Sequence, residues 1–190
     1  SWEPLSVEIS AECENVGTPR PTGIAIDPTD HRHVWLGLEV DGVRHSPDGG
    51  ETWAKVNGQI PNPDVHSVLV VAGPPKAVFT VVNDDVWRST DDGTTWQPAR
   101  AREVFPWHYP RGIAVDRQDR TVWLNNTRSA QIKHYQPGGA FLGQFGSQGA
   151  NPDQFYYSRG IHAGTDGRLY VPDSGNRRLQ VLTKSGALVW

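Results

Sequence analysis

Two eight-residue stretches concentrate the residue types that do chemistry. "SPDGGETW" runs from Ser46 to Trp53 and "STDDGTTW" from Ser89 to Trp96, so the pattern S-x-D-x-G-x-T-W occurs twice, 43 residues apart. A carboxylate, hydroxyls, a glycine and an indole at fixed offsets suit either a ligand site or a structural turn. The turn accounts for more of them. Asp48 and Asp91 can accept from the N–H groups of a tight turn, as Asx-type turns do. Gly50 and Gly93 permit positive φ. Thr52 and Thr95 begin the next strand, and Trp53 and Trp96 can each bury ~150–250 Å² between layers. Calcium asks for several converging oxygens, and each stretch offers one or two carboxylates. Ser46, Asp48, Gly50, Thr52, Trp53 and Ser89, Asp91, Gly93, Thr95, Trp96 are therefore expected to be structural, with no metal.

The other chemically capable residues form no clear set. The single cysteine, Cys13, rules out an internal disulfide and a cysteine-based zinc site; it reads as a buried or incidental thiol. The seven histidines (His31, His33, His45, His66, His108, His134, His162) are scattered, and His31 and His33 read as parts of a solvated turn rather than metal ligands. No cofactor is expected.

The elements that carry these residues are legible as repeats. Segments starting at Pro21, Val65, Pro110 and Ser158 align, 44, 45 and 48 residues apart. Each has a short apolar run (Gly23–Ile26, Ser67–Val71, Gly112–Val115, Gly160–Ala163), a polar turn, and a second strand (Val34–Leu36, Val78–Val81, Val122–Leu124, Leu169–Val171). A third strand follows (Gly42–His45, Asp85–Arg88, Gln131–Tyr135, Arg178–Leu182), then a Gly-bearing turn towards a fourth. No helical period is sustained. Four strands in roughly 40–50 residues is the period of a β-propeller blade, and stacking blades buries faces that one blade alone leaves open. The fold class expected is all-β: a propeller of four-stranded blades, four per chain. The division is 1–20 (outer strand of a split blade plus linker), 21–64, 65–109, 110–157 and 158–190, the last lacking its outer strand. The chain begins at Ser and contains no Met, which is expected of a processed, excised or engineered chain. An unpaired sheet edge favours association, so Trp2–Ile9 is expected to pair with the third strand of the last repeat. Within one molecule this closes four blades; between molecules, the favoured case, it makes an eight-bladed homodimer.

Composition bounds the partners. In 190 residues, 36% are hydrophobic and 21% charged, with 20 Gly, 15 Pro and 8 Trp, as suits many short strands joined by tight turns. No apolar run approaches ~18 residues and no signal peptide is visible; no membrane partner is expected. The net charge of −3 divides unevenly: residues 1–100 hold 7 basic and 15 acidic residues, residues 101–190 hold 11 and 6. Neither half has a dense basic run, so nucleic acid is not an expected partner. Opposite halves can attract each other.

"SPDGGETW" and "STDDGTTW", with a remnant "SW" at Ser1–Trp2, resemble the Asp-box (BNR) repeats of sialidases, sortilin-type receptors and photosystem-assembly propellers, over roughly residues 1–116. "FLGQFGSQGANPDQF" and "DGRLYVPDSGNRRLQVLTKSGAL" resemble NHL repeats, over residues 117–190. Asn126, Ser129 and Gln131 of the third repeat stand where the fourth has Asp173, Asn176 and Arg178. The resemblance implies turn-stabilising roles for the Asp-box residues and for Asp173, Asn176 and Arg178. Two families meeting near "PRGIAVD" imply a chimera, engineered or a natural mosaic.

Propellers usually bind ligands on the face where first strands begin and second strands leave. Thr22, His66, Arg111 and Arg159 stand there once per repeat, with Trp107, His108, Tyr109, Tyr156 and Tyr157 in adjoining loops. Glu39, Asp41, Asn83, Asp84, Asp85 and Asn126 follow the second strands. The candidate ligand residues are His66, Trp107, Tyr109, Arg111, Tyr157 and Arg159; an aromatic rim with two arginines suits an anion or a sugar. No catalytic residues are assigned. A sialidase needs an arginine cluster with a Tyr–Glu pair, a glycosidase two facing carboxylates, and an NHL-like lyase metal-binding histidines; none can be assembled, and fold alone supplies no activity. The expected function is a non-enzymatic propeller scaffold that folds and closes its ring by oligomerising. The alternatives are a module binding a sugar or anionic peptide, and a fragment of a glycosidase- or lyase-type propeller.

Overall fold

A computed structural model describes residues 7–10, 12, 17–83, 85–99, 109–137 and 139–190. Ser1, Trp2, Cys13, Asp84, Trp107 and His108 lie outside the described residues, as does most of the expected closing strand. The chain divides into two compact units, Ser1–Ala99 and Arg100–Trp190.

The first unit holds two four-stranded antiparallel sheets, each in sequential order. One comprises β1 (Pro21–Ile26), β2 (Val34–Leu38), β3 (Gly42–Ser46) and β4 (Ala54–Lys55). The next comprises β5 (Val65–Val71), β6 (Ala77–Val82), β7 (Val86–Ser89) and β8 (Gln97–Pro98). In the second unit β9 (Pro110–Val115), β10 (Val122–Asn126), β11 (Gln131–Tyr135) and β12 (Phe141–Phe145) form the third sheet. A small parallel pair follows, β13 (Ser147–Gln148) with β14 (Gln154–Phe155). β15 (His162–Ala163), β16 (Arg168–Asp173) and β17 (Arg178–Thr183) form the fourth sheet. These four antiparallel sheets are the blades of an all-β propeller.

Each unit has its own core. In the first, Trp35, Val43, Val65, Val68 and Val78 pack face to face between the two sheets. In the second, Trp123, Ile132, Phe155, Leu169 and Leu182 do the same. Inner strands approach closely at glycine. A Cβ on Gly23 would lie 3.1 Å from the Val68 nitrogen, and one on Gly112 would lie 3.0 Å from the Arg159 oxygen.

The fourth blade departs from expectation in two places. Its inner strand was expected from Gly160 but pairs only at His162–Ala163. Pro172 packs beside Gly160, and proline has no N–H to give a neighbouring strand. Side chains of the third blade hold this segment instead: Asn125 donates to the Gly160 oxygen at 2.9 Å and Thr127 to the Ser158 oxygen at 2.7 Å. On the outer edge of β17, Thr183 N–H donates to the Ala187 oxygen and Val189 N–H to the Val181 oxygen. The chain's own Ala187–Trp190 thus occupies part of the edge expected to receive Trp2–Ile9. Of that expected strand, residues 7–9 are described, and the Glu8 oxygen accepts from Arg44.

Candidate functional site

The two S-x-D-x-G-x-T-W turns have the same hydrogen-bond circuit. Ser46 Oγ donates to Asp48 Oδ1 at 2.8 Å and accepts from the N–H of Gly50 at 2.7 Å; Ser89 repeats this with Asp91 and Gly93 at 2.7 and 2.8 Å. Asp48 Oδ1 then accepts from Thr52 N–H and its Oδ2 from Thr52 Oγ1, at 2.8 and 2.5 Å; Asp91 and Thr95 match at 2.8 and 2.6 Å. The donated bonds from Thr52 hold the Asp48 carboxyl down at about 2, and Thr95 lowers Asp91 likewise. Each carboxylate is spent on its own turn. The indoles differ. Trp96 is buried, donating Nε1–H to the Val56 oxygen at 2.6 Å in the neighbouring blade, whereas Trp53 is half-buried and donates to Gly50 in its own turn.

A recessed site lies in the second unit. Its cavity, about 440 Å³, is lined by Tyr109, Arg111, Thr127, Arg128, Ala130, Gln148, Phe155, Tyr156, Tyr157 and Arg159. Two copies of one local device build it. "YPRG" and "YSRG" end at Gly112 and Gly160, and in both the tyrosine is left-handed, with φ of 52° at Tyr109 and 51° at Tyr157. A bulky residue there pays backbone strain of order 1–3 kcal/mol, and such strain gathers at functional sites. Arg111 sits at a β-bulge, because Pro110 pairs with Asn126 and Gly112 with Asn125. Bulges re-aim a side chain. Thr22 and His66 occupy the equivalent bulges of the first two blades.

Arg128 belongs to the site although the sequence reading missed it. It lies in the 3-10 turn Thr127–Ser129, and its guanidinium stands 5.3 Å from the Tyr109 ring centre, a cation–π distance. The homologous turn of the fourth blade, Ser174–Asn176, carries Gly175 at that place, so an arginine in place of glycine was the available signal. Tyr156 and Tyr157 meet edge to face at 4.9 Å. Among the described residues the lining offers three guanidinium forks, three phenols and the Phe155 ring, and no carboxylate.

Of the six expected ligand residues, Tyr109, Arg111, Tyr157 and Arg159 converge here. Trp107 lies outside the described residues. His66 belongs to the first unit, where its Nε2 meets Asn83 Oδ1 at 2.6 Å and Asn83 in turn donates to Asp64 at 2.6 Å. The bulge directs it to a local polar chain. Asp41 is also committed locally. It accepts from Arg44 at 2.7 Å, Lys55 at 2.9 Å and the N–H of Ser10 at 3.0 Å. Burial works to raise its pKa, but these donors outweigh it and lower the carboxyl. In the fourth blade Asp173 accepts from Asn176, Arg178 and Gln180, while Arg178 ties down the oxygens of Ala150, Asn151 and Gln154.

Blade order and sheet topology define a β-propeller, and comparison with known proteins agrees. No family model matches the sequence. A xyloglucanase of Acetivibrio thermocellus is 29% identical over 136 residues, covering 57% of this chain; the chain spans only 16% of that relative's length. Among solved structures, YCF48 bound to D1 peptide is similar with a TM-score of 0.65 and 15% identity, over all of this chain and 58% of that one. An ancestral GH74 enzyme gives 0.68 and 16%, over 89% of this chain and 23% of its own. The virginiamycin B lyase of Staphylococcus aureus gives 0.64 and 18%, over 89% and 54%. At these identities the structural likeness concerns the fold alone.

Proposed function

We propose that this chain is a non-enzymatic β-propeller module that binds an anionic ligand, of the acidic-peptide or acidic-sugar class, in the Arg111–Arg128–Arg159 cavity. The observation that carries it is the convergence of three arginines with Tyr109, Tyr156 and Tyr157 around one recess, whose described lining residues include no carboxylate. Guanidinium forks match carboxylate oxygens in pairs, and tyrosine rims supply apolar area beside them. Titration calorimetry with an acidic peptide and with an oligogalacturonide tests it. Binding that weakens at least tenfold in Arg111→Ala/Arg159→Ala supports the reading; no heat from either ligand at millimolar concentration refutes it.

In the same reading the S-x-D-x-G-x-T-W turns are Asp-box fasteners, and the Asp173–Asn176–Arg178 set is their NHL-type counterpart. Two different turn chemistries in two units support a mosaic of two propeller families. A second reading, a piece of a glycosidase-type propeller, draws support from the 29% match to the xyloglucanase. Release of reducing ends from xyloglucan by the purified chain would favour it over the first.

A further inference from the structure

Blade-to-blade packing in each unit follows one register. Val68 and Val70 of β5 face the preceding blade, and both pack in the core of the first unit. Ile161 and Ala163 stand at the same two repeat positions and pack in the core of the second. In β1 the equivalent residues are Ile24 and Ile26, and they are 63% and 52% exposed. Among the described residues, the first blade thus presents exposed the two side chains that elsewhere insert into a neighbour.

The fourth blade presents the complementary lack. Gly23 and Gly112 are needed because the next inner strand comes within 3.1 and 3.0 Å of where a Cβ would be. Gly160 stands at the same repeat position, yet its Cβ would meet only Pro172 of its own blade, at 3.5 Å. Beside that vacant slot, Leu179 pairs with Pro172 and is 44% exposed.

We infer that this chain associates head to tail with a second copy, Ile24 and Ile26 of one docking beside Gly160, Pro172 and Leu179 of the other. The shared repeat register makes β1, with its exposed isoleucines, the kind of strand that an inner-strand glycine accommodates. Charge adds selectivity for this occupant. The unit bearing the isoleucines has 6 basic and 15 acidic residues, net −9; the unit bearing Gly160 has 12 and 6, net +6. Opposite fields favour a contact between unlike units and disfavour one between like units.

The test is mass in solution by light scattering, at micromolar to hundred-micromolar protein. The native chain is expected at twice its 21.0 kDa or more, with association weakening as salt rises. Gly160→Ala makes only an ordinary contact within its own blade, and Ile24→Glu changes an exposed side chain, so both variants are expected to keep the native circular dichroism and run at 21.0 kDa. A native chain that stays at 21.0 kDa throughout overturns the inference, as does an assembly that both variants leave intact.

Discussion

Tyr109 and Tyr157, 48 residues apart in sequence, hold the same left-handed backbone, with φ of 52° and 51°, and both line the same cavity. Tyr157 is 58% exposed, so little packing repays its strain. Tyr157→Gly is therefore expected to raise stability by about 1 kcal/mol while weakening ligand binding. Thermal melting and calorimetry on the same variant read both effects. A variant that loses stability would show that the ring is needed for folding rather than for the site.

The matched turn circuits predict matched losses. Ser46→Ala and Ser89→Ala each remove the acceptor of a buried glycine N–H and are expected to cost about 1–3 kcal/mol in urea unfolding. The tryptophans are expected to differ. Trp96→Ala empties a buried site in the neighbouring blade and should cost about 3–5 kcal/mol, whereas the half-buried Trp53 should cost clearly less.

Acid should loosen these turns. The Asp48 carboxyl is held at about 2, below its ordinary 3.8. A depressed carboxyl contributes stability that is complete above its unfolded value and is lost as pH falls through the folded one. Native protein is thus expected to lose turn stability from about pH 4 down through about 2, and Asp48→Asn should flatten that dependence. Carboxyl titration by NMR reads the shift directly.

A histidine pair predicts a second pH dependence nearer neutrality. His33 Nδ1 and His45 Nε2 meet at 3.0 Å, and His45 stacks on Trp35 at 4.4 Å. Burial first, then the neighbouring His33, pushes the His45 pKa below its usual 6.5. A base with a depressed pKa favours folding above the unfolded value, and that contribution is lost as pH falls from about 6.5 through the folded value. His45→Gln should lessen the fall in thermal midpoint as pH drops below about 6.5, the remainder coming from His134, whose pKa burial also lowers.

Lysine clamps predict the last effect. Lys76 reaches Asp27 of the first blade at 3.0 Å and Asp92 at 2.7 Å; Lys184 reaches Asp116 and Asp119 of the third at 2.5 and 3.0 Å. Desolvation opposes the charge on Lys76, but its two carboxylates outweigh it and raise the pKa. Asp27 and Asp116 are buried. Since the lysines are 28% and 31% exposed, Lys76→Met and Lys184→Met should each cost about 1–3 kcal/mol in urea unfolding, less than the loss of a fully buried pair.

Sequence by itself determined the blades. Strand alternation and turn residues act over two to eight positions, and their recurrence every 44 to 48 residues exposed four copies. The aspartates' acceptance from their own turns was equally legible, because those donors lie within four residues. The serine and threonine hydroxyls were not, and Thr52 and Thr95, expected to begin the next strands, lie in the turns before Ala54 and Gln97. Four of the ten lining residues were readable as well: Tyr109, Arg111, Tyr157 and Arg159 come from one repeated tetrapeptide. Tertiary structure alone decided the rest. Arg128 enters the site because a 3-10 turn carries it over Tyr109. Lys76 finds Asp27 across 49 residues and Lys184 finds Asp119 across 65. Those partners differ from one repeat to the next, so no period marks them. A long flexible side chain can meet many carboxylates, and only the packing of one blade on another selects which.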